Sequence, residues 1–490
     1  MQGNLAPTLP PTANGDPEIR GLTADSRAVE PGYLFAALPG AKVHGREYIE
    51  QAVARGAVAL LIDDPQLLAP LHERFPQVPV VVDANPRRRL ALMAAQFYAP
   101  QPRVVAAVTG TNGKTSVVTF LRQIWQRAGL RAASLGTLGI IGPDGAEQGS
   151  LTTPDPVTLH RELNKLARGG INHVALEASS HGLDQFRLDG LEIAAAAFTN
   201  LTHEHLDYHR TMAAYLAAKA RLFGQVMRPG GHAVLNADVP QFETLRELCA
   251  KRSHRVYGYG ASPIADLRLL ATRPLGHGQE LELIVLGRRR SLLLPLAGGF
   301  QAMNALAALG LAIATGVGPD EAVTALGQLT GAPGRMQHVA SHPNGAPVFV
   351  DYAHKPDALE TVLRALRPQC RGALVVVFGC GGERDTVKRP MMGAIAARLA
   401  DRVIVTDDNP RGENASAIRR AILAAAPGAR EIADRAEAIA VGIRELGAKD
   451  LLVIAGKGHE RGQIVGSVVH PFDDAEVARR VVAELMRGRP

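Results

Sequence analysis

Parallel α/β sheets with helices on both faces, shared among about three domains, are what this sequence predicts, and three observations carry the expectation. The chain has 490 residues, and roughly 150 residues per domain suggests about three units. From about residue 103 short β-branched or Ala/Val runs alternate with longer helical patterns, the writing of a sheet buried on both faces. Pro100 and Pro102, and later Gly331-Ala332-Pro333-Gly334, break that alternation. The breaks set expected domains of 1–99, 100–333 and 334–490.

The first domain is the least regular, with turn signals at Pro31-Gly32 and Pro39-Gly40. The second opens on a strand over Val104–Thr109, a helix over Lys114–Ala128 closed by Gly129, and strands at Val174–Glu177 and Ile193–Phe198. Ser291 to Pro319 carries no charge, but Pro295, Gly298, Gly299, Gln301 and Asn304 interrupt it. Its helical part, near Met303 to Thr315, falls short of the roughly 20 apolar residues a bilayer requires. A buried helix after a strand is expected there. The third domain resumes with Ala373–Phe378, a helix from Arg389, Arg402–Thr406, two helical stretches and Leu451–Ala455.

Hydrophobic residues make up 46% and charged ones 21%, which excludes wholesale disorder. Lys plus Arg number 54 against 47 Asp plus Glu, a net charge of +7 with no long basic run. Arg87-Arg88-Arg89 and Arg288-Arg289-Arg290 read as short solvated turns, not a nucleic-acid footprint. The mild positive balance suits an anionic small substrate. Three cysteines, Cys249, Cys370 and Cys380, lack both a disulfide framework and zinc spacing, which indicates a reducing compartment. Met1 to Arg20 has no charged start followed by an apolar run, so no secretory signal is expected. The expectation is a soluble cytoplasmic protein without membrane insertion, acting as a monomer.

The sharpest signal is VVAAVTGTNGKTS, Val104 to Ser116. An apolar strand runs into a Gly-rich turn, and Lys114 and Thr115 open a helix. Backbone N–H groups of such a turn and the helix N-terminus form a concave anion site. Gly110 and Gly113 permit close backbone approach, Lys114 can reach terminal phosphates, and Thr115 can ligate Mg²⁺. Val108 stands where the general GxxxxGK[ST] pattern has its first glycine, so this is a shortened variant, GTNGKT. ATP or GTP binding is expected. Glu177 ends the apolar run HVALE, where a carboxylate suits metal ligation at the C-terminal end of a strand. His203 to His209 is not HExxH, since Asp207 takes the second histidine's place.

The loop has company. TTPD (Thr152 to Asp155), EASSHGL (Glu177 to Leu183), FTNLTHEHLDYH (Phe198 to His209), AAKARLF (Ala217 to Phe223), DYAHKPDAL (Asp351 to Leu359), FGCGGERD (Phe378 to Asp385), DDNPR (Asp407 to Arg411) and AGKGHE (Ala455 to Glu460) follow in order. Together they resemble the Mur ligase family, the ATP-dependent amino-acid ligases of bacterial cell-wall synthesis. The resemblance runs from Asp25-Ser26-Arg27 onward. It implies three α/β domains: a small UDP-substrate-anchoring domain, a central P-loop-type ATP-binding domain, and a C-terminal Rossmann-like domain for the incoming amino acid.

Within the family, DDNPR implies addition of meso-diaminopimelate to the D-Glu carboxylate of UDP-MurNAc-L-Ala-D-Glu through an acyl phosphate. That is peptidoglycan precursor synthesis, tied to cell shape and division. The cofactors so implied are ATP and Mg²⁺. ATP would be held by Gly110, Thr111, Asn112, Gly113, Lys114, Thr115, Ser116, Asn304, Arg335, Asp351, Tyr352 and His354. The catalytic set would be Lys114, Glu177, His205 and Lys219, with metal ligation by Thr115, Glu177, His205 and Lys219 as its carbamate. A carbamate requires the neutral amine, hence a lysine pKa lowered by burial or neighbouring cations. The nucleotide-sugar peptide would meet Ser26, Thr152, Thr153, Ser179, Gln185 and Arg187. For Thr152, Thr153 and Ser179 alone, capping or turn roles serve as well. The amino acid would meet Arg389, Asp408, Asn409, Pro410, Arg411, Gly456 and Glu460.

Three positions depart from the family's usual pattern: Glu204 stands for Asp, Gln301 for Asn, and VHGR (Val43 to Arg46) for DGR, leaving His44 unassigned. The rival readings are a lysine-adding relative, a folylpolyglutamate-synthetase-like ligase, and a P-loop switch or motor without ligase activity. A dinucleotide oxidoreductase is disfavoured, because Arg384 replaces the third glycine after Gly379 and Gly381.

Overall fold

The protein is described by a computed structural model covering residues 17–40, 43–147, 149 and 151–487. Met1 to Asp16, most of the segment read for a secretory signal, lies outside the described residues, as do the outer ends of the first and third expected domains.

Among the described residues three α/β sheets follow one another along the chain. The first has four parallel strands in sequence order, Gly21–Thr23, Tyr33–Ala36, Ala57–Ile62 and Val80–Val82. The second has eleven strands, with Val104–Thr109 between Ile193–Phe198 and His173–Glu177. Its inner strands are parallel and buried along almost their whole length, which is why they read as unbroken apolar runs. The helix Lys114–Arg127 covers one face, against the apolar helix Gly299–Ala314. Trp125 is buried between them and its indole N–H donates to Thr315 Oγ1 at 3.0 Å. The helix Pro156–Arg168, capped by Asp155 with Pro156 in its first turn, covers the other face. The third sheet has six strands, and Pro347–Asp351, Leu451–Ala455, Leu374–Phe378 and Arg402–Val405 lie parallel in that order.

Two expectations need correction. The first sheet is parallel throughout, but the second and third carry antiparallel strands at their margins. Leu267–Leu275, Gly278–Val285 and Arg288–Leu294 form an antiparallel meander at one edge of the central sheet, and Gln337–Ser341 an antiparallel edge on the third. Edge strands expose one face and so alternate in polarity. The arginine triplets are not turns. Arg87–Arg89 lie in the first turn of the helix Pro86–Phe97, where Asn85 caps and Pro86 pre-sets the start. Arg88 pairs with Asp189 at 3.1 Å, Arg89 with Asp83 at 3.3 Å, and Arg290, in the meander, with Asp320.

The uncharged 291–319 stretch is a strand end followed by the buried helix Gly299–Ala314, as expected. No helix among the described residues is long and apolar enough to cross a membrane. The helix Asp474–Arg487 packs on the third sheet, and Asp474, fully buried, grips the equally buried Arg435 at 2.7 and 2.8 Å. Arg435 also donates to Ala455 O at 3.0 Å.

Candidate active site

The phosphate loop sits where the strand Val104–Thr109 ends. Gly110 has φ +147° and Gly113 φ +90°. A Cβ at Gly110 would come to 1.9 Å of Thr199 Oγ1, and one at Gly113 to 2.4 Å of Asn304 Oδ1. Glycine is therefore required on both conformational and steric grounds. The loop is pinned from outside: Thr199 Oγ1 donates to Asn112 O at 2.6 Å, Asn112 N–H donates to Asn200 Oδ1 at 2.9 Å, and Thr111 N–H to Asn200 O at 2.9 Å. Thr202 N–H donates to Thr111 Oγ1 at 2.9 Å.

Two lysines converge on one carbonyl. Lys114 Nζ donates to Gly110 O at 2.9 Å and Thr111 O at 2.8 Å, and Lys219 Nζ donates to the same Gly110 O at 2.8 Å. Lys219 is 1% exposed, so the surface location normal for a lysine does not apply. It lies on the helix Met212–Arg221, one turn after Tyr215, whose ring it faces at 4.3 Å. Burial, and then the charge of Lys114, hold its pKa well below the ordinary lysine value. Burial also lowers Lys114, with Glu177 opposing.

Glu177 is 1% exposed. Its Oε1 accepts from Thr115 Oγ1 at 3.0 Å and Thr137 N–H at 2.8 Å, and its Oε2 from Thr137 Oγ1 at 3.2 Å. Among the described residues no Lys, Arg or His side chain forms an ion pair with it. A buried carboxylate held only by neutral donors fits a cation arriving from outside. With the hydroxyl of Thr115 it supplies oxygen donors of the kind Mg²⁺ takes, in the small number Mg²⁺ takes from protein. His205, at φ +57°, stands edge-on to His181, ring centroids 4.9 Å apart, in a cluster with Tyr208, His209 and Tyr215. Burial lowers the pKa of His205, favouring the neutral ring a metal would need. Among the described residues no group of three or more His, Cys, Asp or Glu side chains is arranged to hold a metal ion by itself. Glu204 forms an ion pair with Lys355, from beyond the 331–334 break.

Gln301 joins two of the expected nucleotide residues. Asn304 Nδ2 donates to Gln301 Oε1 at 3.0 Å and Gln301 Nε2 to Arg335 O at 3.1 Å. The guanidinium of Arg335 stands 4.6 Å over the Tyr352 ring, and its buried Nε has no hydrogen-bond partner among the described residues. Asp351 accepts from Met336 N–H at 2.6 Å and Ala353 N–H at 2.8 Å, and burial raises its pKa. His354 Nδ1 lies 2.9 Å from Tyr352 O.

Thr153 Oγ1 donates to Glu177 O at 2.7 Å and accepts from Ser179 N–H at 3.0 Å, while Ser179 caps the helix Ser180–Asp184. Thr152 Oγ1 lies 3.0 Å from Thr137 Oγ1. Arg187 donates to Thr153 O at 2.6 Å and to Gln185 Oε1 at 2.7 Å. Ser26 bonds none of these; it donates to Gln51 Oε1 at 2.9 Å in the first domain. His44 caps its own turn and pairs with Asp63 at 3.1 Å.

In the third domain Arg411, at φ +52°, donates from its guanidinium to Gly382 O at 2.7 Å and has no carboxylate partner among the described residues. Arg389 is committed to Glu413 at 2.8 and 3.0 Å. Gly456, at φ +113°, leaves room for Asp408: a Cβ there would meet Asp408 Oδ2 at 2.7 Å. A Cβ at Gly382 would meet Pro410 O at 2.0 Å. Asn409 Nδ2 donates to Glu460 Oε2 at 2.9 Å. Lys457, Lys355, Thr137 and Asn200 were not singled out from sequence. Lys457 lies inside AGKGHE, Lys355 inside DYAHKPDAL and Asn200 inside FTNLTHEHLDYH, whereas Thr137 lies in none of the quoted motifs.

Comparison with known proteins decides the family. Residues 18–98 match the Mur ligase family catalytic domain, 108–312 the Mur ligase middle domain, and 334–458 the Mur ligase glutamate ligase domain. The chain belongs to the Mur ligase family. It is 52% identical over 469 residues to a UDP-N-acetylmuramoyl-L-alanyl-D-glutamate–2,6-diaminopimelate ligase of Bradyrhizobium diazoefficiens, covering 95% of each chain. A ligase of the same name from Agrobacterium fabrum is 49% identical, covering 99% of this chain and 98% of its own. A solved structure of a ligase of that name, 34% identical, matches 96% of this chain and 95% of its own at a TM-score of 0.72. A folylpolyglutamate synthase of Mycobacterium tuberculosis complexed with ADP, 19% identical, covers 87% of this chain and 98% of its own at 0.62, a likeness of fold alone.

Proposed function

We propose that this Mur ligase joins meso-diaminopimelate to the D-Glu carboxylate of UDP-MurNAc-L-Ala-D-Glu, with conversion of ATP to ADP and phosphate. The observation that carries the reading is the guanidinium of Arg411, bonded to Gly382 O but to no carboxylate among the described residues, in the loop that also presents Asn409 to Glu460. A guanidinium without an acidic counter-ion suits the distal carboxylate of diaminopimelate, which lysine lacks, and Glu460 suits its distal ammonium.

A carboxylate is a poor electrophile, so the γ-phosphoryl group of ATP is moved onto it. The resulting acyl phosphate is attacked by the amine; the amide forms, phosphate leaves and the amine loses a proton. Gly110 to Ser116 cradle the phosphates, and Lys114 turns from the loop carbonyls to the transferring group. Asn304, Arg335, Asp351, Tyr352 and His354 hold the nucleoside end. Mg²⁺, when bound at Thr115, Glu177, His205 and carbamylated Lys219, supplies charge neutralisation between the anionic reactants. The depressed Lys219 favours the amine that a carbamate requires. Thr152, Ser179, Gln185, Arg187 and Ser26 bind the nucleotide-sugar peptide, and Thr153 orders that loop from beneath.

The working units are 1–99, 100–333 and 334–490, in a monomer. Three free cysteines and anionic nucleotide substrates suit the cytoplasm. The test is a product assay. Amide, ADP and phosphate appear together only when the UDP-linked dipeptide, diaminopimelate and ATP are all supplied; ADP released equally without the amino acid would point to a P-loop NTPase instead.

A further inference from the structure

Lys457 is 0% exposed, buried in the loop that follows the strand Leu451–Ala455. A lysine is almost never so buried unless paired. Its ammonium donates to Asn409 Oδ1 at 2.9 Å and to Glu460 Oε2 at 3.1 Å. Asn409 closes the triangle, donating to the same Glu460 oxygen at 2.9 Å, and its Oδ1 is fixed again by Ile464 N–H at 3.0 Å. One carboxylate oxygen of Glu460 is thus taken twice, once by a full positive charge, before any substrate arrives. The other oxygen has no hydrogen-bond partner among the described residues, and the side chain keeps 34% exposure.

We infer that Lys457 is a specificity-determining residue that neutralises Glu460, so that a substrate end bearing only an ammonium gains little while one bearing ammonium and carboxylate together is favoured. The inference rests on the diaminopimelate reading given above. With Lys457 in place the carboxylate meets an incoming ammonium as half of an ion pair, and the two cations repel each other across it. A distal carboxylate reverses the balance, because Arg411 and Lys457 then outnumber Glu460. Selectivity here includes a repulsive element against the wrong amino acid, besides the attractive Arg411.

The test compares three amino acids on the full-length enzyme: diaminopimelate, L-lysine, and L-2-aminopimelate, which keeps the distal carboxylate without the ammonium. Wild type is expected to use aminopimelate better than lysine. Lys457→Met, neutral and close to lysine in shape, and Lys457→Gln, neutral and polar, are expected to narrow the diaminopimelate-to-lysine ratio of kcat/KM by about tenfold, the order of one altered charge contact. Lysine use should rise in absolute terms while KM for ATP stays unchanged, a pattern that mere loosening of the pocket does not give. An unchanged ratio, or parallel loss of both substrates, would overturn the inference. If neither variant folds, the wild-type comparison decides it, since lysine used as well as or better than aminopimelate overturns it too. Wild type that does not use diaminopimelate at all overturns the underlying reading, and that outcome is distinct from the others.

Discussion

Replacing Gly113 by Ala tests whether the phosphate loop is held by geometry as well as by charge. Its φ of +90° lies in the left-handed region, where an added Cβ costs about 1–2 kcal/mol. That Cβ would also stand 2.4 Å from Asn304 Oδ1, far inside van der Waals contact. Asn304 is buried and tied to Gln301 at 3.0 Å; swinging it aside forfeits that bond, about 1 kcal/mol more. The expected loss of unfolding free energy is therefore about 2–3 kcal/mol, read by denaturant titration. If Asn304 and the loop both meet the nucleotide, as proposed, kcat/KM for ATP should fall at least about tenfold. Gly129 supplies the control: its φ is +73° but nothing lies within 4 Å, so Gly129→Ala should show the backbone strain alone and leave ATP use untouched. Wild-type KM for ATP in Gly113→Ala would refute the placement of Asn304 against the nucleotide.

Lys219→Ala should lose most ligase activity and regain part of it with formate or acetate, which replace the anion; near-wild-type turnover by Lys219→Arg, which cannot form a carbamate, would count against that role. Arg411→Ala should impair use of diaminopimelate far more than KM for ATP, and wild type should use lysine very poorly; comparable kcat/KM for the two amino acids would favour the lysine-adding alternative. His160, buried against Asp189 O at 3.2 Å, has its pKa lowered to about 4 by burial. The unfolded chain therefore takes up this proton first as pH falls, and about 3 kcal/mol of stability should drain away between the ordinary pKa near 6.5 and 4. His160→Gln should flatten that part of the stability profile; an unchanged acid slope would contradict it.

The core of the fold was legible because its strands are buried on both faces and its helices carry local start signals. Val104–Thr109 and Lys114–Arg127 need no distant partner to be recognised, and GTNGKT announces its own chemistry. The antiparallel margins were not legible, since pairing direction depends on which strand lies alongside. The same limit hid Lys457, whose partners lie 48 and 3 residues away, and the pairing of Lys355 with Glu204 across 151 residues. Gln301 looked from sequence like a departure from pattern. In the fold its longer amide spans from Asn304 to Arg335, two of the residues proposed to hold the nucleotide.

The buried pairing of Arg435 with Asp474 has a consequence for how the chain is made. Arg435 leaves the ribosome 39 residues ahead of its counter-ion. Until the helix Asp474–Arg487 emerges, the third sheet cannot close over that guanidinium without stranding its charge in an apolar interior. The carboxylate end of the pair thus acts as a completion signal: nascent chains stalled before residue 474 should keep the third sheet open around Arg435.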